Sequence, residues 1–466
     1  MRTGPRGGNA PFLCYNDRTN NGTMNLYILG EESPSHEILT AVSWFIRKSI
    51  DVDLSKVSYK NLSIDNNLFF EVVGFSNDTY DKIYYSVVSS TGNSFVDYMF
   101  FEGENPPEID SKPLAALEAT KNLGNESGNM SDQRAPKMIA LKEKYGNDIR
   151  CGYLINNHST ITETIDSFSH AHDCAFATMN FIGVEVVVAR YGSSDWKEYE
   201  VPFQYDSIDK VIVAESKKRK GSGIPSRVFQ TGDNEFDIQV NLYKSSGNHD
   251  PGEGYLASRA YVVRKLEPNA VINVINHGRG EVYFNRKNNK LINVLKFVGV
   301  NAVLDNSTVV VERNENVFKK PYWEYTKTGE KNASIVLEQL FIQKGLDINF
   351  TNHAGCGKSY IEINGEFFQA KKTNGIPDIV AFDKDNNTLM VVEGETSKNY
   401  KKGMVQVLDP SFDTFIEKEF VARMGNNVKV KKYLCTFGEY NKEPEVLFNL
   451  TENYVMNYNE NAAEVK

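Results

Sequence analysis

The sequence predicts an α/β protein in which two units, each a mixed central sheet flanked by helices, are joined by a middle α/β region. Three observations carry the prediction. Short apolar runs rich in Val, Ile and Phe alternate with segments of helical spacing, such as Ile38, Leu39, Val42, Phe45 and Ile46. A hairpin with acid at both ends occurs twice, once towards each end of the chain. A length of 466 residues exceeds one ordinary core, so domains are expected at 1–195, 196–325 and 326–466.

Composition narrows the class. Hydrophobic residues at 40% and charged residues at 24% describe an ordinary globular chain without long disordered spans. No apolar run is long enough to cross a bilayer and the N-terminus has no hydrophobic signal region, so a cytoplasmic protein is expected. Five scattered cysteines without C-x-x-C spacing indicate reduced thiols rather than a disulfide framework or zinc site. A net charge of −9 argues against a protein that coats nucleic acid unspecifically. It leaves room for one with a locally basic cleft, and basic clusters occur at Lys217 to Lys220, Arg286-Lys287 with Lys290, Lys398 with Lys401-Lys402, and Lys429 with Lys431-Lys432.

Residues 1–30 form a Gly- and Asn-rich lead-in that runs into an apolar strand, MNLYIL. Ser33 to Glu37 offers a helix start, with Ser as cap and Glu37 in the first turn. Two strand-like runs then lead to SFVDYMFF, carrying Asp97, and to KPLAALEATKN, carrying Glu118. Strand alternation sets Thr120 beside Glu118 and Lys121 on the opposite face; Asp110 is a nearer rival to Asp97. A polar loop follows, then a helix with Gln133, Arg134 and Lys137. A strand (CGYLI), a helix-like span at 160–180 and a strand (VEVVVARY) complete the first unit. His170, His172 and Cys174 are metal-ligand types, but spacings of two do not share a helix face.

In the middle region, DKVIVAESK reads as a strand carrying Asp209, Glu215 and Lys217. The cationic, Gly/Ser-containing KKRKGSG loop after it suits phosphate contacts. A helix (GYLASRAYVVRKL) and a strand (AVINVINHG) follow, and the charged, aperiodic residues 310–330 mark a boundary. The last unit opens on a helix carrying Glu338 ahead of its hairpin, as Glu37 precedes the first. AGCGKS at 354–359 is not a phosphate-binding loop, because that motif needs Gly at 352, which is Asn.

The second hairpin carries the chemistry. Pro377-Asp378 heads the run IVAF, the turn DKDNN follows, and TLMVVEGE returns. Fourteen residues between Asp378 and Glu393 suffice for two short strands and a tight turn, and alternation puts Glu393 and Glu395 on one face, where Asp378 can join them. Three carboxylates that close repel unless a cation sits among them, and hard oxygen ligands suit Mg²⁺. Phosphodiester cleavage needs such a site, to activate water and to stabilise charge on the phosphate oxygens.

Pro-Asp followed across a hairpin by Glu-x-Glu resembles the PD-(D/E)xK nuclease superfamily, with Glu395 where Lys is commoner. PDIVAFDKDNNTLMVVEGETS is similar to the catalytic segment of the BsuBI/PstI-type restriction endonucleases, a likeness that covers the last third of the chain. LEATKNLGNESGNMSDQRAPK resembles catalytic segments of other type II restriction enzymes. The resemblance implies a type II-like restriction endonuclease that cuts double-stranded DNA with Mg²⁺, as a monomer with two sites or as a homodimer. It implies one site at Asp378, Glu393 and Glu395, with Glu338 a further metal ligand and Lys398 a rival source of the missing cation. A second site would comprise Asp97, Glu118 and Lys121, the first two holding metal. The alternatives are a non-catalytic DNA-binding protein on a nuclease scaffold, or a nuclease for branched or mismatched DNA.

Overall fold

The computed structural model describes residues 24–466 apart from 36, 49–56, 75–78, 92–94, 121–130, 158, 192, 218–225, 242–250, 278–289, 305–306, 327–328, 353–359, 370–374, 426 and 441. The chain is mixed α/β, with several mixed sheets flanked by helices. The first sheet takes β1 (Asn25–Gly30), β2 (Ser58–Ile64), β3 (Asn67–Val73), β4 (Lys82–Ser90), β5 (Tyr98–Gly103), β6 (Ala115–Thr120), β7 (Arg150–Asn157), β8 (Val184–Arg190) and β9 (Trp196–Glu198). Helix α1 (Glu37–Ile46) follows β1, and α2 (Ser131–Tyr145) crosses from β6 to β7. The span expected as one helix at 160–180 is two, α3 (Ile161–Asp166) and α4 (His170–Ile182), because Thr160 caps the first and extended backbone at Ser169 opens the second.

The middle region holds α5 (Ile208–Ser216), β10 (Arg227–Gly232), β11 (Glu235–Val240), α6 (Pro251–Leu266), β12 (Val271–Asn276), α7 (Lys290–Val298), β13 (Val300–Leu304) and β14 (Ser307–Val311). The run at 208–216, expected as a strand, is a helix. Its Val-Ile-Val stretch has β propensity, but the Ser207 hydroxyl accepts from the Lys210 N–H and Val211, Ala214 and Glu215 bury one side, so capping and burial override it. The expected boundary at 325 falls on β15 (Trp323–Tyr325), which returns to the first sheet and pairs antiparallel with the end of β4.

The remainder runs α8 (Gly329–Gln343), β16 (Asp347–Thr351), the hairpin β17 (Tyr360–Ile363) and β18 (Glu366–Gln369), β19 (Ile379–Asp383), β20 (Thr388–Thr396), α9 (Tyr400–Val407), α10 (Pro410–Ile416), β21 (Lys429–Phe437), β22 (Val446–Leu450) and β23 (Met456–Tyr458). Its sheet has the order β16-β19-β20-β21-β22-β23, with successive pairings antiparallel, antiparallel, parallel, parallel, antiparallel. The first sheet repeats that series along β1-β5-β6-β7-β8-β9. In each, the first parallel pair is joined by a helical crossover, α2 in one and α9 with α10 in the other.

Both last-unit sheet faces are covered. Ala333, Val336 and Leu337 of α8 pack with Ile379, Ala381 and Val392, while Val407, Phe412 and Phe415 pack with Val380, Leu389 and Val391. The α8 side merges with the α1 side of the first sheet, where Ile38, Leu39, Val42 and Trp44 meet Phe100, Leu117 and Leu154, into one apolar core. Polar pins cross the same junction: Gln339 Nε2 donates to the Pro34 carbonyl at 3.2 Å and Lys331 Nζ to that of Glu31. Among the described residues no helix is long and apolar enough to cross a membrane.

Candidate active site

The two hairpins place their acids at matching positions. Ile379 pairs with Val392, which sets Asp378 opposite Glu393; Tyr98 pairs with Leu117, which sets Asp97 opposite Glu118. The same hydrogen bond closes both. Asp378 Oδ2 accepts the Gly394 N–H at 2.8 Å, and Asp97 Oδ2 accepts the Ala119 N–H at 2.5 Å. Glu118, Ala119 and Thr120 therefore stand where Glu393, Gly394 and Glu395 stand.

Two glycines shape the C-terminal cluster. Gly375, at a positive φ of 76°, lets the chain pass the start of α10: a Cβ there would lie 2.5 Å from Ser411 Oγ and 2.8 Å from Phe412 N. The chain then enters β19 with Asp378 at its head. A Cβ on Gly394 would lie 2.7 Å from Asp378 Oδ2, so the bare backbone gives that carboxylate room.

Asp378, Glu393 and Glu395 are all buried, and Lys402 Nζ on α9 contacts Glu395 Oε1 at 2.5 Å. Glu393 Oε2 is buried without a hydrogen-bond partner. Burial, together with the charges of Asp378, Glu395 and Glu330, pushes the Glu393 carboxyl up to about 9, with Lys402 offsetting part. Glu330, in the first turn of α8, is itself raised by burial and by Glu395. Neutralisation is how a buried acid avoids the cost of an unpaired charge.

The N-terminal cluster is compensated from within. Glu118 is fully buried and receives Lys137 Nζ on both oxygens, at 2.9 and 3.1 Å, and Arg134 NH1 on Oε1 at 2.8 Å. Burial is the largest single influence on the Lys137 ammonium and disfavours it, but Glu118, Glu31 and Asp97 together outweigh burial and the pKa rises. Asp97 is raised well above the carboxylate range by burial, then by Glu118. Glu31 joins this cluster, accepting the Phe95 N–H at 2.7 Å, and burial raises it also.

Several expected residues sit elsewhere. Glu338 is buried eight residues beyond Glu330, about 12 Å along α8, and Glu330 is the helix acid acting on Glu393. Lys398 is exposed on a short 3₁₀ turn, and Lys402 is the cation on Glu395. Lys121 lies outside the described residues; Lys137, read only as a basic residue of the helix after the polar loop, is sunk onto Glu118. The sequence placed Lys137 on that helix but not against Glu118, because the two meet only when α2 folds back on β6. Asp110 is exposed and pairs with Lys144 at 3.6 Å. Glu37 accepts from Asn156 Nδ2 at 3.1 Å.

Lys429, Lys431 and Lys432 open β21 beside the start of β20, roughly 16, 10 and 7 Å along the strand from the level of Glu393. Most of the KKRKGSG loop, Arg286-Lys287 and AGCGKS lie outside the described residues. Glu215 is buried under Tyr205, Tyr255 and Arg259.

The C-terminal donor set is all oxygen, and the orphaned Glu393 Oε2 suits a hard divalent cation. Among the described residues no three Asp, Glu, His or Cys side chains already stand in an arrangement that could hold an ion. Asp378 is engaged by the Gly394 N–H and Glu395 by Lys402. Comparisons with family models, curated proteins and solved structures gave no match.

Proposed function

We propose that the chain is a Mg²⁺-dependent endonuclease of the type II restriction class that hydrolyses phosphodiesters of double-stranded DNA at the C-terminal cluster. One observation carries the reading: among the described residues Glu393 keeps a buried carboxylate oxygen without a partner, beside Asp378, Glu395, Glu330 and Lys402. The order α8, β16, β19, β20, α9, β21 supports a nuclease-like core, since it brings a helix acid and a hairpin's acids together beside the interior strands of a mixed sheet.

Asp378, Glu393 and Glu395 would hold the cation, with Glu330 beside them. When bound it supplies an acidified water and charge stabilisation on the phosphate. Burial holds Glu393 protonated beforehand, so loading this site releases a proton. Lys398, Lys401 and Lys402 are exposed next to the cluster and offer contacts to the DNA backbone.

The test is incubation of the purified protein with a plasmid of known sequence, with Mg²⁺ or with EDTA, and mapping of the ends. Defined ends only with Mg²⁺, lost in Asp378→Asn while DNA binding persists, are the expected result. Binding without cleavage in Mg²⁺ would replace the reading with a non-catalytic DNA-binding protein.

A further inference from the structure

The two clusters occupy matching strand positions, yet they differ in what neutralises them. Glu118 receives two side-chain cations from α2, at 2.8 to 3.1 Å, and their combined charge equals that of one divalent ion. Among the described residues its counterpart Glu393 receives none and keeps Oε2 without a partner, and Lys402 reaches Glu395 from the rim. Lys137 is buried nearly as deeply as Glu118, 3% exposed against 0%. A fully buried ammonium is tolerated only where it answers a buried anion, so the pair is fixed by mutual need.

We infer that Lys137 and Arg134 are built-in counter-ions that hold the place of a divalent cation in the N-terminal unit, which therefore binds none, and that removing them uncovers a divalent-cation site at Asp97 and Glu118. The inference rests on the pairing alone and stands apart from the hydrolytic reading. The oxygens required are present: Asp97 faces Glu118 across the hairpin, and Glu31 lies beside them. Without the two cations these carboxylates would face the same repulsion as the C-terminal set, and a hard cation is the ligand class that relieves it.

The experiment counts Mn²⁺ bound per full-length chain by equilibrium dialysis above neutral pH. All proteins carry Asp378→Asn and Glu393→Gln, so that the C-terminal cluster is silenced. Adding Arg134→Gln with Lys137→Met should raise the count by one ion. Adding Glu118→Gln with Lys137→Met, which removes the buried anion with its lysine and leaves Arg134, 29% exposed, within reach of water, should leave it unchanged. A lower count in the Glu118→Gln/Lys137→Met protein overturns the inference, because a bound ion would have been lost. So does a folded Arg134→Gln/Lys137→Met protein that binds no extra ion. If that protein fails to fold, the Glu118→Gln/Lys137→Met count decides alone.

Discussion

The β5–β6 and β19–β20 hairpins are near-copies in backbone and opposites in charge. Each sets an Asp opposite a Glu, and each ties the Asp to the amide after that Glu. In the first, the helix that follows sinks Lys137 into the acids. In the second, the helix that follows keeps its lysine at the rim, with Lys402 largely exposed. The backbone thus supplies a place for charge, and the crossover helix decides whether that place is filled by the chain or left for something else.

The largest expected effect tests the division itself. If the C-terminal cluster is the proposed Mg²⁺ site, Asp378→Asn and Glu393→Gln should each lower DNA cleavage by about a hundredfold or more, since they would remove oxygen ligands of that cation. The doubly neutral Glu118→Gln/Lys137→Met protein should cut at close to the parental rate. Strand-resolved end mapping of all three decides the matter, and equal losses at both clusters would break the comparison.

Stability should divide the other way. Glu118→Gln alone strands a buried ammonium, so denaturant unfolding should show a loss of about 3–5 kcal/mol. Asp378→Asn, which relieves repulsion, should be neutral or stabilising by the same measurement.

A smaller effect is a pH slope. The Glu393 carboxyl, ordinarily near 4.5, is raised to about 9 in the folded chain, so between these values the folded state holds a proton that the unfolded state has released. Stability without divalent cation should therefore fall as pH rises through that window, by at most about 1.4 kcal/mol per unit. Unfolding curves across the range should show the slope flattened in Glu393→Gln. An unchanged slope would remove Glu393 as its source.

The smallest effect concerns one methyl group. Gly394→Ala brings a Cβ against Asp378 Oδ2 and should cost about 1–3 kcal/mol, measured by thermal unfolding. The N-terminal hairpin carries Ala119 at the matching position, so Ala119→Gly should lack a comparable gain.

Much of this architecture was legible in the residues. Short apolar runs located β4, β5, β19 and β20, and the carboxylates at the C-terminal hairpin were readable because strand alternation and a short turn are local rules. Lys137 and Glu330 were not, since each depends on where a helix lands against a sheet. The α5 segment misled for a different reason: three consecutive β-branched and apolar residues mimic a strand when the cap and the buried side are out of sight. The return of β15 was unreadable for the same cause as Lys137, because three residues carry no pattern of their own.

That short strand sets a timetable for the chain. Trp323 to Tyr325 pair with Val88 to Ser90, so the first sheet is complete only after more than two hundred intervening residues have been made. During synthesis the end of β4 remains an open edge, and open edges recruit other strands. The middle region must fold in that interval, as an insertion held between an early sheet and its last stitch. A fragment ending before Pro321 would keep every acid of the N-terminal cluster and still lack the seam that closes its sheet, a pairing whose long sequence separation carries the larger loop-closure cost.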